Sequence, residues 1–159
     1  MTLHIQARLY PATLLENADL FLNRLALSPG TSFVAHVDSE LLGYLLAYPW
    51  AQYTPPELNV ALSTLPQDAN SWFLHDCSIS PEAQGAGIGH SLYKAGAAHA
   101  VNVNKSLRHS SLVSLATAKP YWIRHGYTIT AAEGDSVLTT KLAGYDPVAC
   151  LMTRQLSPF

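Results

Sequence analysis

At 159 residues, 48% hydrophobic and only 13% charged, the chain has the length of one ordinary domain and enough apolar surface for a sizeable core. Its formal net charge of −2, with nine scattered Lys and Arg residues, excludes the cation clusters that nucleic acid binding needs. No apolar run approaches the ~20 residues of a membrane span, and the start Met1-Thr2-Leu3-His4 lacks a basic-then-apolar signal layout, so a cytoplasmic location is expected.

From Pro11 to Leu27, Leu14, Ala18, Phe21, Leu22 and Leu25 recur at three- and four-residue steps, which predicts one helix stopped by Ser28-Pro29-Gly30. Ser32 to Val37 and Leu41 to Tyr48 are β-rich, and the short polar Asp38-Ser39-Glu40 between them predicts an antiparallel hairpin. Pro49 to Ser71 is irregular, but Thr54-Pro55-Pro56-Glu57 has the form of a capping box and predicts a short helix carrying Leu58, Leu62 and Leu65. Trp72 to Ser80 reads as a strand, followed by a glycine-rich loop. Ile88 to Val103 then reads as a helix with Ile88, Leu92, Gly96, Ala100 and Val103 on one face. Ser111 to Ala116 predicts a further buried strand. Pro120 begins a short helix that runs to His125 and ends at Gly126, and Tyr127 to Ala131 starts another strand. Val148 to Leu156 closes the pattern as a strand. Strands and helices mix without repeat or linker, which predicts a single α/β domain over residues 1–159 with a largely antiparallel sheet flanked by helices.

Cys77 and Cys150 form neither a disulfide framework nor a paired metal motif. His36, His75, His90, His99, His109 and His125 show no ligand spacing, so no metal is expected. The chemistry concentrates in Cys77-Ser78-Ile79-Ser80-Pro81-Glu82-Ala83-Gln84-Gly85-Ala86-Gly87-Ile88-Gly89-His90. Glycines at 85, 87 and 89 leave the backbone open, so successive N–H groups can converge on one anion, such as a pyrophosphate, where the helix begins. A dinucleotide fingerprint wants G-x-G-x-x-G with an acid about 20 residues later, and a P-loop wants Gly-Lys-Ser/Thr; neither is present. Cys77 beside His75 suggests a nucleophile and base, yet residues two apart on a strand project in parallel and no third orienting residue is evident.

The run Leu74 to Gly89, with its apolar-x-Pro strand end and Gln84-Gly85-Ala86-Gly87-Ile88-Gly89, resembles the central motif of the GCN5-related N-acetyltransferases (GNAT). Ala118-Lys119-Pro120-Tyr121-Trp122-Ile123-Arg124-His125-Gly126-Tyr127 is similar to a second block of that family. The resemblance implies a GNAT-like domain whose mostly antiparallel mixed sheet is splayed at the fourth strand. It implies an acetyl-CoA-dependent N-acetyltransferase, with a small-molecule or peptide primary amine attacking directly in a ternary complex. By the same resemblance Cys77, Ser78 and Ile79 line the pantetheine arm, Gln84, Gly85, Ala86, Gly87, Ile88, Gly89 and His90 wrap the pyrophosphate, and Trp122 completes the cofactor site. A backbone N–H near Ile79 would take the acetyl carbonyl.

The remaining roles follow from chemistry and from departures from the family pattern. A lysine-like amine is mostly protonated at pH 7 and needs a base. His75 and Asp76 stand where the similar polyamine acetyltransferases carry a pair of acidic residues, and by that resemblance Asp76 is expected to hold the amine and His75 to relay its proton, with strand alternation sending one side chain to the cleft and the other away. The same two residues also suit a hydrogen-bonded core histidine and a loop-anchoring aspartate. Where many relatives carry a tyrosine acid this chain has Trp122, with Tyr121 one residue earlier; the leaving thiolate is protonated by Tyr121, by water, or by no acid. Relatives often carry an asparagine where Thr117 stands and a basic residue where Ala86 stands, which leaves phosphate binding to the backbone, with Lys94 as an added charge. Trp50 and Tyr53, beside prolines, are candidates for substrate contact, and Trp72 and Tyr44 for the core. The lost tyrosine and asparagine keep open a non-catalytic acyl-CoA-binding module; an interaction domain using an exposed sheet edge is the third reading. A homodimer through the C-terminal strand is the expected mode of any self-association.

Overall fold

The structure, a computed structural model, describes residues 2–130 and 134–157. Five helices, α1 (Thr2–Leu9), α2 (Ala18–Leu27), α3 (Ile88–Val103), α4 (Lys119–Arg124) and α5 (Ser136–Ala143), surround six strands. The strands are β1 (Phe33–Val37), β2 (Glu40–Trp50), β3 (Ser71–Ile79), β4 (His109–Ser114), β5 (Thr128–Ile129) and β6 (Cys150–Gln155), in the sheet order β1-β2-β3-β4-β6-β5. All neighbours run antiparallel except β3 and β4, which are parallel and joined through α3. No helix among the described residues is long and apolar enough to cross a membrane.

α3 covers one face of the sheet, over a core of Leu45, Trp72, Leu74, Leu92, Ala97 and Met152. Gly96 is there because a Cβ would stand 2.5 Å from the Trp72 ring, which leaves no room for a side chain. Val103, expected on the same apolar face, is the last residue of the helix and is 60% exposed. α1 and α2 cover the opposite face, where Ile5, Phe21, Tyr44 and Leu46 form a second cluster.

Several elements differ from expectation. The helix expected from Pro11 to Leu27 is interrupted: Ala12–Leu14 makes one 3-10 turn, Leu15 is extended, and α2 starts only where the Asn17 side chain accepts from the Leu20 N–H at 3.1 Å. The buried face of α2 is Leu20, Phe21 and Arg24, while Leu22 and Leu25 are exposed. The helix expected after Thr54 does not form. Asn59 adopts φ 59°, its N–H donates to Glu16, and Leu62 exchanges both backbone hydrogen bonds with the Asn23 amide, so tertiary partners replace the i→i−4 ladder. Glu40 pairs with Val37 and belongs to β2, leaving Asp38 and Ser39 as the hairpin loop. α1 and α5 had not been expected. α5 is capped by Asp135 and buries Leu138 and Leu142 against Leu151. Of the strand expected from Tyr127 to Ala131, Thr128–Ile129 forms β5, the Thr130 N–H donates to the Leu151 carbonyl of β6 at 2.8 Å, and Ala131 lies outside the described residues. The C-terminal strand β6, through which a homodimer was expected, lies between β4 and β5 rather than at the sheet edge.

Candidate acyl-CoA cleft

The site begins where the parallel pair parts. β3 and β4 pair only from Ser71 with His109 to Leu74 with Leu112, although β3 continues to Ile79 and β4 to Ser114. β4 instead follows β6 as far as Cys150, so the sheet splays and a cavity of about 600 Å³ opens between the diverging strands. The Ser80 N–H donates to Leu42 at 2.8 Å on the β2 side, and the Ile79 carbonyl accepts from the Gln84 amide. By alternation, Cys77 and Ile79 turn their N–H and C=O toward the gap, where no strand pairs them.

At the mouth, Pro81–Ala83 forms a 3-10 turn, Gln84 extends, and Gly85 and Gly87 take φ +82° and +78° before α3 begins. Only glycine enters that region without strain, and a Cβ on either would meet nothing within 4 Å, so both backbones face open space. Among the described residues, no backbone N–H from Gly85 to His90 donates to a protein group. These unpartnered amides lie at the positive end of a 16-residue helix, where an anion would be favoured.

The floor on the α1/α2 side is polar because of a register shift. β2 and β3 pair Leu46 with Asp76 but Ala47 with Leu74, so His75 is an extra residue and both His75 and Asp76 face α1 and α2. The expected alternation, one toward the cleft and one away, is therefore replaced by two neighbours on one face. Asp76 accepts from Tyr10 at 2.9 Å, Ser78 at 3.0 Å, Tyr44, and the Gln6 amide at 3.5 Å. Burial pushes its carboxyl above the ordinary range, against the pull of the Tyr44 and Tyr10 hydroxyls. Burial and then the Asp76 charge hold both tyrosines above their usual values.

His75 is fixed on both nitrogens: Nε2 pairs with Glu16 and Nδ1 meets the Tyr48 hydroxyl at 2.9 Å. Glu16 also accepts from Arg24 at 3.4 Å, and the side chains of all three are almost wholly buried. Burial raises the Glu16 carboxyl, but the His75 bond and the charges of His75 and Arg24 outweigh it and the net shift is downward.

On the opposite wall, α4 turns Tyr121 toward α3, with its hydroxyl 3.0 Å from where a Cβ on Gly89 would sit. Burial raises its phenol. Trp122 packs into the α3-side core against Tyr127 at 5.3 Å. Burial also drives the Cys77 thiol up to about 12, which leaves it an inert packed cysteine.

All the cofactor residues expected from the sequence line this cleft, as do His75, Asp76 and Tyr121, with the exception of Ala86. Ser78 lines it through a side chain turned to Asp76. Trp50 and Tyr53 are not brought to it. Trp50 pairs with Ser71 at the closed end of the fork and donates to the Thr54 carbonyl, and Tyr53 is 56% exposed nearby. Sequence reasoning missed Tyr10, Leu9 and His125, which line the cleft, and Glu16, which holds His75 from 59 residues away. A tyrosine one residue before Pro11 and a histidine one before Gly126 were visible, but their meaning depends on packing.

Comparison with known proteins bears on this geometry. A family model described as Acetyltransferase (GNAT) family matches residues 2–127. No curated protein sequence matches the chain. Among solved structures, the GphF GNAT-like decarboxylase in complex with isobutyryl-CoA is similar at 14% identity and TM-score 0.73, covering 98% of this chain and 93% of that one. The loading GNATL domain of CurA from Lyngbya majuscula is similar at 11% identity and TM-score 0.77, covering 96% and 90%. N-acetylglutamate synthase from Neisseria gonorrhoeae, complexed with coenzyme A and N-acetyl-glutamate, matches at 14% identity and TM-score 0.62, covering 89% of this chain and 28% of that one. At such identities the structural likeness shows the fold. With four-fifths of its residues matched by the family model and the splayed sheet in place, the chain belongs to the GNAT acetyltransferase family.

Proposed function

We propose that this protein moves an acetyl group from acetyl-CoA to a primary amine of a small molecule or peptide, by direct attack in a ternary complex. The observation that carries the reading is the fork between β3 and β4, which leads an unpaired strand edge to the unpartnered amides of Gly85 to His90. The residues present fit the carrier: open space beside Gly85 and Gly87 accepts a diphosphate, and the edge of Cys77 and Ile79, which no strand pairs and where the Gln84 amide occupies the Ile79 carbonyl, accepts an extended amide-bearing arm like an added strand. The GphF and N-acetylglutamate synthase structures carry isobutyryl-CoA and coenzyme A, which supports the same ligand class here.

Acetyl-CoA supplies an activated thioester carbonyl. The N–H groups of Cys77 and Ile79 are placed to polarise an acyl oxygen in the fork. Asp76 is the proton acceptor, since burial raises its proton affinity and Tyr10 connects it to the cleft at 2.9 Å. Its oxygens are already occupied by Gln6, Tyr10, Tyr44 and Ser78, so its role shifts from gripping the amine to receiving its proton through Tyr10. His75, with both nitrogens engaged, holds that floor in place through Glu16. As the N–C bond forms and the C–S bond breaks, the thiolate takes a proton from Tyr121 or solvent.

Thiol release from acetyl-CoA in the presence of a panel of polyamines, amino acids, aminoglycosides and peptide N-termini tests this directly. Turnover with any of them is expected. Tight binding of the carrier with no turnover across the panel supports instead the second reading, a non-catalytic acyl-CoA-binding module, which the presence of Trp122 and Thr117 at the family's tyrosine and asparagine positions favours.

A further inference from the structure

The cleft carries little charge. Among the described residues that line it, Asp76 is the one carboxylate, and no Lys or Arg is present. The cations of adjoining segments stand outside it: Arg8, beside Leu9, pairs with Glu82, Arg24 pairs with the Glu16 that holds His75, and Lys119 and Arg124 sit at the two ends of α4. An extended carrier along the Cys77 and Ile79 edge and the glycine loop leaves the acceptor the end between α1 and the last residues of β4. The walls of that end are apolar and fixed by packing. Leu9 packs into the cluster under α1 and α2, Val113 packs against Leu138, Leu142 and Leu151, and half-buried Leu115 follows β4. The hydroxyls beside them are already committed: Tyr10 and Ser78 donate to Asp76, and Ser114 donates to the Leu115 carbonyl at 3.0 Å.

We propose that the acceptor is a primary amine on an otherwise uncharged, apolar body, which lies against Leu9, Val113 and Leu115 while its nitrogen faces Asp76 through Tyr10. The inference rests on the reading of the site as an amine acetyltransferase and names the chemistry of the acceptor. The amine enters as an ammonium, so one positive charge meets one carboxylate. A second ammonium finds no second acid. A carboxylate finds no cation and stands against Asp76; either group loses hydration without gaining a partner. The transfer itself is unchanged: the amine nitrogen bonds to the acetyl carbon, the C–S bond breaks, the proton leaving nitrogen passes through Tyr10 to Asp76, and the thiolate is protonated by Tyr121 or solvent. The apolar body contributes by leaving water for the leucine and valine walls.

Thiol release at saturating acetyl-CoA, measured as kcat/KM over matched acceptors, tests this. From propylamine to hexylamine the value is expected to rise about two- to fourfold per methylene. Pentylamine should exceed 1,4-diaminobutane, of the same length, by about tenfold or more, and phenylethylamine should exceed phenylalanine by a similar factor. A peptide amide beginning with phenylalanine separates the sources: turnover faster than that of phenylethylamine assigns the apolar body to a peptide, and slower turnover assigns it to a free amine, either of which sustains the proposal. Leu115→Arg supplies the missing cation and should raise the phenylalanine to phenylethylamine ratio about tenfold; an unchanged ratio in a variant that melts like wild type overturns the placement. Diaminobutane or phenylalanine turned over as well as its uncharged counterpart overturns the apolar acceptor and leaves acetyl transfer standing. No thiol release with any amine, although acetyl-CoA binds, overturns acetyl transfer and this inference with it.

Discussion

The Tyr10 hydroxyl donates to Asp76 at 2.9 Å, tying the end of the N-terminal helix to the strand that opens the cleft. Tyr10 and Asp76 both border the cavity, and the bond offers a route from the cleft to a buried carboxylate. Tyr10→Phe is expected to lower kcat by about tenfold or more while leaving the KM for acetyl-CoA near its original value, because the cofactor is held by other residues. Steady-state kinetics against both substrates checks this, and an unchanged kcat would disconnect Asp76 from the chemistry.

Asp76 also shapes the stability profile. Its folded-state carboxyl is shifted up by burial, so the native state binds the proton more tightly than the unfolded chain does. The native state is penalised as pH rises from the ordinary aspartate range through the raised value. Asp76→Asn removes that titration. Urea midpoints of the variant relative to the parent should therefore improve as pH rises from 4 to 8, and a relative stability flat in pH would contradict the shift.

Glu16 has the opposite sign. Its net downward shift means that its contribution is present above the ordinary glutamate range and is lost as pH falls through the lowered value. Glu16→Ala leaves Arg24 and His75 buried without their anion and opens the Asn59 contact. A loss of about 3 to 5 kcal/mol is expected at pH 7, measured by chemical denaturation, with the gap to wild type narrowing toward pH 3.

Gly96→Ala tests the packing on the other face. The new methyl would meet the Trp72 ring at 2.5 Å and Leu45 at 3.2 Å, and Trp72 is fully buried with little room to move. Destabilisation of about 1 to 3 kcal/mol is expected from the thermal or urea midpoint, against a neutral outcome if the helix can lift.

Local signals made the half of the molecule around α3 and α4 readable. α3 runs from Ile88 to Val103 as its apolar spacing predicts, and α4 starts beside Pro120 and ends before Gly126 at φ +81°. The loop glycines adopt positive φ where an open backbone is needed. The acceptor-side floor was not readable in the same way. The extra residue at His75 exists only relative to the register of β2, and it reverses where a neighbouring side chain points. The pairing of His75 with Glu16, and the unwinding after Thr54 toward Asn23 and Glu16, depend on contacts between distant segments that no spacing rule encodes.

Whether the amides of Gly85 to His90 grip a diphosphate is tested most directly by comparing acetyl-CoA with S-acetylpantetheine, which has the same thioester arm without the nucleotide diphosphate. Quenching of tryptophan fluorescence, with Trp122 in the cleft wall, reports both dissociation constants. Binding of acetyl-CoA at least about 100-fold tighter than S-acetylpantetheine, roughly 2.7 kcal/mol, is the predicted result. Equal affinities, or no binding of acetyl-CoA at millimolar concentration, would contradict it.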